Sequence, residues 1–147
     1  MKWIIIIIVF GIVGGIVAFN FMEGAKSEFV KNTYNQTVQY TKDEIKKCNS
    51  GESKYMDGLQ KCPPTIEKTI AGIFEVFKDQ YNLFTFNENN LPDRGSKILR
   101  KSKSNTQDTD LGFINLSTSG ENIVLNVCFK KPCSNENNRR SDTIEIK

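Results

Sequence analysis

The run WIIIIIVFGIVGGIVAF, residues 3–19, carries no charged and no strongly polar side chain. Five consecutive isoleucines stand inside it, and the first acid of the chain is Glu23. As a helix rising about 1.5 Å per residue, Trp3 to Met22 spans roughly 30 Å, the thickness of one hydrocarbon core. Ile, Val and Phe each favour insertion by about 0.3–0.6 kcal/mol, so together they contribute several kcal/mol. Residues 1–22 therefore read as a transmembrane helix, and the rest of the chain must fold beside it. A secretory signal has an apolar core of about 7–15 residues and small residues at its cut. Here the core is longer, and Gly24-Ala25 follow only after the bulky Asn20-Phe21-Met22-Glu23. The segment reads as a retained signal anchor. Lys2 holds its start in the cytoplasm, against an opposing pull from Lys26 and Lys31.

Gly11 and Gly15 stand four apart, with Gly14 and Ala18 as a second small-small pair. Small residues at this spacing let two helix backbones approach closely in lipid. Glycine is also frequent in membrane helices, so the pattern gains meaning only if the remainder is built for assembly.

The 147 residues leave room for one compact domain after the anchor. The net charge of +3 is dispersed among acids, which argues against an extended phosphate-binding face. The absence of histidine removes the commonest general base and metal ligand. There is no phosphate loop and no activated nucleophile, so no reaction is assigned to any residue and no cofactor is called for.

Four cysteines form two local pairs, Cys48 with Cys62 and Cys128 with Cys133, although four cysteines permit three connectivities. Neither spacing suits zinc. Behind a membrane segment, two disulfides in an oxidising compartment are the expectation.

Val30, Tyr34, Val38, Thr41, Ile45 and Cys48 recur every three or four residues, with charges mostly on other faces. The membrane helix is thus expected to continue into water as an amphipathic helix, with Gly24 marking a bend and Asn49-Ser50-Gly51 the end. Pro63-Pro64-Thr65 opens a second helix that buries Ile66, Ile70, Ile73, Phe74 and Phe77. Residues 82–105 read as irregular. Leu111 to Ser117, Asn122 to Phe129 and Thr143 to Ile146 read as strands, the first two joined in a hairpin. The fold class is α+β: a long N-terminal helix packed on an antiparallel sheet of about three strands, with the second cysteine pair pinning the returning loop.

A membrane helix that becomes amphipathic, a cysteine-closed loop, an antiparallel sheet and a cysteine-closed C-terminal loop follow in that order. The chain in this respect resembles the bacterial type IV pilins and their pseudopilin relatives. The resemblance is carried by IIIIIVFGIVGGIVAFNF, by DTDLGFINLSTSGENIVLNVCFKKPC and by the closing SDTIEI. It implies an extracytoplasmic pilin-like head over 23–147, held in the bacterial inner membrane. It also implies later extrusion into a surface filament, with the apolar helices at its centre. The partners implied are membrane lipid and copies of this or other pilin-like subunits. The first acid lies at Glu23 rather than near the start of the run, no leader glycine precedes it, and Asn20 stands where many relatives have proline. The resemblance is therefore to a divergent or minor subunit. An alternative from another class is a single-pass envelope protein with a disulfide-stapled binding head that does not polymerise.

Two further clusters are weighed against plainer readings. Asp108 and Asp110 offer oxygen donors for calcium, but two carboxylates do not specify a site and solvated loop acids are the simpler account. Lys97, Arg100, Lys101 and Lys103, with Arg139 and Arg140, would suit DNA or an acidic surface. They lack interleaved aromatics, so solvated loop charge is preferred.

Overall fold

The computed structural model describes residues 2–86 and 95–146, with side chains described from Met22 onward. Helix α1 is one uninterrupted element, Lys2–Asn49, and passes through Gly24 without a break in its hydrogen-bonded run. At about 1.5 Å per residue, its 48 residues extend roughly 72 Å. From Met22 onward no helix is long and apolar enough to cross a membrane. The side chains of the apolar run, with Gly11, Gly14, Gly15 and Ala18, lie outside the described ones, and so does the anchor expectation for 1–22.

The outer half of α1 is amphipathic as its spacing predicts. Val30, Tyr34, Val38, Thr41 and Ile45 are buried, and Cys48 packs against the same cluster. The buried stripe is wider than the apolar one, because Thr33, Thr37 and Glu44 are also covered. Two of these threonines need no distant partner: Thr37 donates to the Thr33 carbonyl and Thr41 to the Thr37 carbonyl, one turn back. The helix is wrapped from two sides, by the last strand of the sheet and by a hairpin with the second helix. Gly51, at φ +93°, turns the chain out of the helix, and Glu52 N–H caps the Lys47 carbonyl.

The loop closed by Cys48 and Cys62 is more ordered than expected. It holds a small antiparallel hairpin, β1 (Lys54–Tyr55) and β2 (Gln60–Lys61). Tyr55 and Met56 at its turn are fully buried against α1 and the next helix. That helix, α2 (Ile66–Val76), starts at Thr65, whose hydroxyl accepts from Lys68 N–H. Ile73 is buried, while Ile66, Ile70, Phe74 and Phe77 are half-buried against the same core.

The main sheet has four strands where about three were expected. They are β3 (Leu99–Lys101), β4 (Ile114–Ser119), β5 (Asn122–Cys128) and β6 (Arg139–Glu145), in that spatial order. The meander β4-β5-β6 is antiparallel, whereas β3 lies parallel to β4 and falls within the stretch read as irregular. With the hairpin this makes six strands in two sheets among the described residues. Gly120, at φ +59°, opens the two-residue turn from β4 to β5, where a hairpin's right-handed twist favours glycine. Ile114, Leu116, Ile123, Leu125, Val127 and Ile144 form one apolar face, joined with Val30, Tyr34, Val38 and Ile45 of α1 in a continuous core. Each fully buried aliphatic side chain contributes about 1.5–3 kcal/mol. The second disulfide, Cys128–Cys133, ties the end of β5 to the loop that returns as β6.

Candidate functional site

The end of the head nearest the apolar run is built from α1, the segment after α2, and the loop after β5. Glu23, Gly24, Ser27 and Lys31 form one wall of a groove of about 740 Å³, with Phe84, Leu111 and Phe129 opposite and Lys130 and Lys131 on the lip. The Lys26 ammonium lies 5.9 Å from the Phe84 ring centre, and that of Lys31 lies 4.7 Å from the Phe129 ring centre. Arg140 reaches the same Phe129 ring at 5.9 Å. Aromatic faces attract cations electrostatically, so these rings hold the charges where the lysine stems alone would let them swing.

Phe84 and Leu111 are held by a buried amide. Asn82 Nδ2 donates to the Leu111 carbonyl at 2.8 Å, and its Oδ1 accepts from Phe84 N–H at 3.0 Å. Gly112, at φ +78°, is required here, since a Cβ would stand 2.1 Å from Asn82 Oδ1. The stretch around Asn82 and Phe84 is thereby fixed to the segment entering β4.

The opposite face of the sheet carries a polar cluster instead. Arg100 on β3 donates to Asp110 and to Asn115 Oδ1, and its guanidinium stacks 4.2 Å from the Phe113 ring centre. Asp110 is 3 % exposed and also accepts from Ser104 Oγ at 2.7 Å and Gln107 N–H at 3.0 Å. Burial alone would raise its carboxyl, but these bonds and the Arg100 charge reverse the effect and hold it below its ordinary value. Asp108 accepts from Cys133 N–H at 2.8 Å. The calcium candidates are thus separately engaged, and among the described residues no group of three or more ligating side chains gathers. Neither does the description of solvated loop acids hold for Asp110. It is an ion-paired interior residue.

The six basic residues do not share one surface. Arg139 and Arg140 are consecutive on β6 and point to opposite faces, towards Asn105 at 3.5 Å and Asn35 at 3.1 Å respectively. Arg100 is committed to Asp110, and Lys97 donates to Tyr81 Oη and lies near Asp79. Lys101 and Lys103 are exposed. The cations that do converge, Lys26, Lys31, Lys130 and Lys131, come from distant parts of the chain. Their only sequence signal was the Lys130-Lys131 pair within the loop closed by Cys128 and Cys133. Both expected cysteine pairs are formed.

Comparison with protein-family models, with curated proteins and with solved structures finds no match.

Proposed function

We propose that this chain is a divergent or minor type IV pilin-like subunit, anchored by its apolar helix and assembled through it into a surface filament. The observation that carries the reading is the continuity of α1. One helix bears the apolar run in its first half and the sheet-covered stripe in its second. A head so attached transmits the position of the apolar half without a flexible linker. The α+β head and its two disulfides suit exposure to an oxidising compartment. In the polar cluster the Ser104 hydroxyl meets Asp110, but that carboxylate is ion-paired with Arg100 and held below its ordinary value, which makes it a poor base, and the role proposed is assembly and binding rather than catalysis.

The absence of any acid within the apolar run 3–19 favours a second reading, a tethered binding head that does not polymerise. Intact mass of the protein in the fraction sheared from cells, set against washed membranes, separates the two. Recovery in sheared fibres supports the subunit, and the mass fixes its mature N-terminus. Recovery in membranes alone overturns the filament and leaves the tethered head.

A further inference from the structure

Cations from three parts of the chain meet at the base of the head around two aromatic rings. Lys26 lies over Phe84, Lys31 and Arg140 share Phe129, and Lys130 and Lys131 stand exposed on the lip. Among the described residues none of the four lysines makes an ion pair, and Glu23 is the one carboxylate on the lining. Lys26 lies five residues beyond Phe21 on the same helix, about 8 Å along its axis, and Lys31 about 15 Å. The headgroup layer of a bilayer is roughly 5–8 Å thick on each side. With the apolar run seated in a bilayer, as the anchor reading has it, Lys26 falls at headgroup depth, and the groove above it opens where the helix leaves that run. Long lysine stems reach further towards such a layer.

We propose that this groove binds anionic phospholipid headgroups of the bilayer that holds the apolar helix, and so seats the head against the membrane. The proposal rests on the anchor part of the reading above, but not on filament formation. The rings fix the inner cations, the lip lysines meet phosphate, and the lack of carboxylate partners leaves the charges available to it. Each lysine near an anionic surface strengthens association about fivefold, within a Debye length of about 8–10 Å.

The test uses the full chain in nanodiscs of phosphatidylglycerol or of phosphatidylcholine, one copy per disc, with amide exchange followed over residues 23–31 and 129–131. The expected result is severalfold greater protection in phosphatidylglycerol, lost in Lys130→Gln/Lys131→Gln and at high salt. Equal protection in both lipids, with the chain inserted, overturns the proposal and leaves the anchor reading intact. So does protection in phosphatidylcholine on adding millimolar inorganic phosphate, which would make the site one for free phosphate. Protection that arises only with two copies per disc assigns the groove to a second subunit and overturns it likewise. Failure of the chain to float with either disc overturns the anchor and this proposal together.

Discussion

Tyr34 on α1 places its hydroxyl 2.8 Å from Asp142 Oδ2 on β6 and 3.1 Å from the Leu125 carbonyl on β5. The contact joins residues 108 positions apart and fastens the helix to the edge of the sheet. Asp142 sits on the core-facing side of the edge strand, in register with Leu125, where an inward charge also discourages pairing with another chain. Burial, and then the hydrogen bond to Asp142, raise the Tyr34 hydroxyl well above the ordinary tyrosine value. Tyr40 is raised as well, by burial and by the Glu44 and Asp57 carboxylates.

Tyr34→Phe is expected to lower the unfolding free energy by about 1.5–3 kcal/mol, read from urea denaturation at pH 7. A raised native value means that Tyr34 keeps its proton while the unfolded chain loses it. The stability it confers is whole below about pH 10 and falls as pH rises beyond that. Alkaline unfolding followed at the phenolate absorbance should therefore show a late transition coincident with unfolding. In the Tyr34→Phe variant the slope of stability against pH above 10 should be shallower. An unchanged slope would mean that the hydroxyl does not report on the helix–sheet contact.

The Arg100–Asp110 pair predicts the opposite end of the pH scale. A depressed carboxyl contributes stability above its unfolded value, lost as pH falls through the lower folded one, hence below about pH 4. Arg100→Met leaves a buried carboxylate without its guanidinium and should cost about 3 kcal/mol at pH 7. The gap between variant and parent should narrow in acid. Thermal melts of both proteins at stepped pH test this, and a constant gap down to the acid transition would refute it.

Gly24 and Gly72 should respond to alanine in opposite senses. A Cβ at Gly24 meets nothing within 4 Å, so Gly24→Ala should stabilise α1 by about 0.5–1 kcal/mol. A Cβ at Gly72 would stand 2.5 Å from Met56 Cγ and 2.8 Å from its Cβ. Gly72→Ala should therefore cost about 1–3 kcal/mol by overpacking. Adding Met56→Ala should make the two losses less than additive in a double-mutant cycle by chemical denaturation.

If the chain assembles as proposed, the four-residue spacing of Gly11 and Gly15 should matter to it. Gly11→Leu with Gly15→Leu should reduce the protein in the sheared fraction at least tenfold while its level in membranes is held, as judged by quantitative blotting. Equal loss from both fractions would point to failed insertion instead of failed helix packing.

What could be read in advance follows from how far each signal reaches along the chain. The stripe Val30, Tyr34, Val38, Thr41, Ile45 was legible because a helix repeats its buried face every three or four residues. The strand around Ile123, Leu125 and Val127 was legible from alternation over a long enough stretch. Strand β3 was hidden: three residues, two of them basic, read as loop, because only the Asp110 and Asn115 partners draw the half-buried Arg100 onto the sheet. Tyr34 was placed correctly as buried, yet nothing local named Asp142 as its acceptor. The basal groove escaped notice for the same reason. Lys31, Phe84 and Lys130 share no local spacing and meet only once the sheet has closed on the helix.

The two disulfides should differ in what they contribute. Cys48 and Cys62 enclose a loop with a separation of 14, and Cys128 and Cys133 one of 5. Constraint of the unfolded chain grows with loop length, giving about 3 kcal/mol for the first and about 2 kcal/mol for the second. The first also holds the hairpin whose Tyr55 and Met56 fill the space between α1 and α2. Its loss should therefore exceed the loop estimate, since those side chains are freed with it. Replacing each pair by alanine, with stability measured in urea under non-reducing conditions, should rank the first pair as the costlier by at least 1 kcal/mol. Equal costs would mean that the hairpin stays docked without its staple, and that Tyr55 Oη with Thr69 Oγ1, 3.1 Å apart, suffices to hold it.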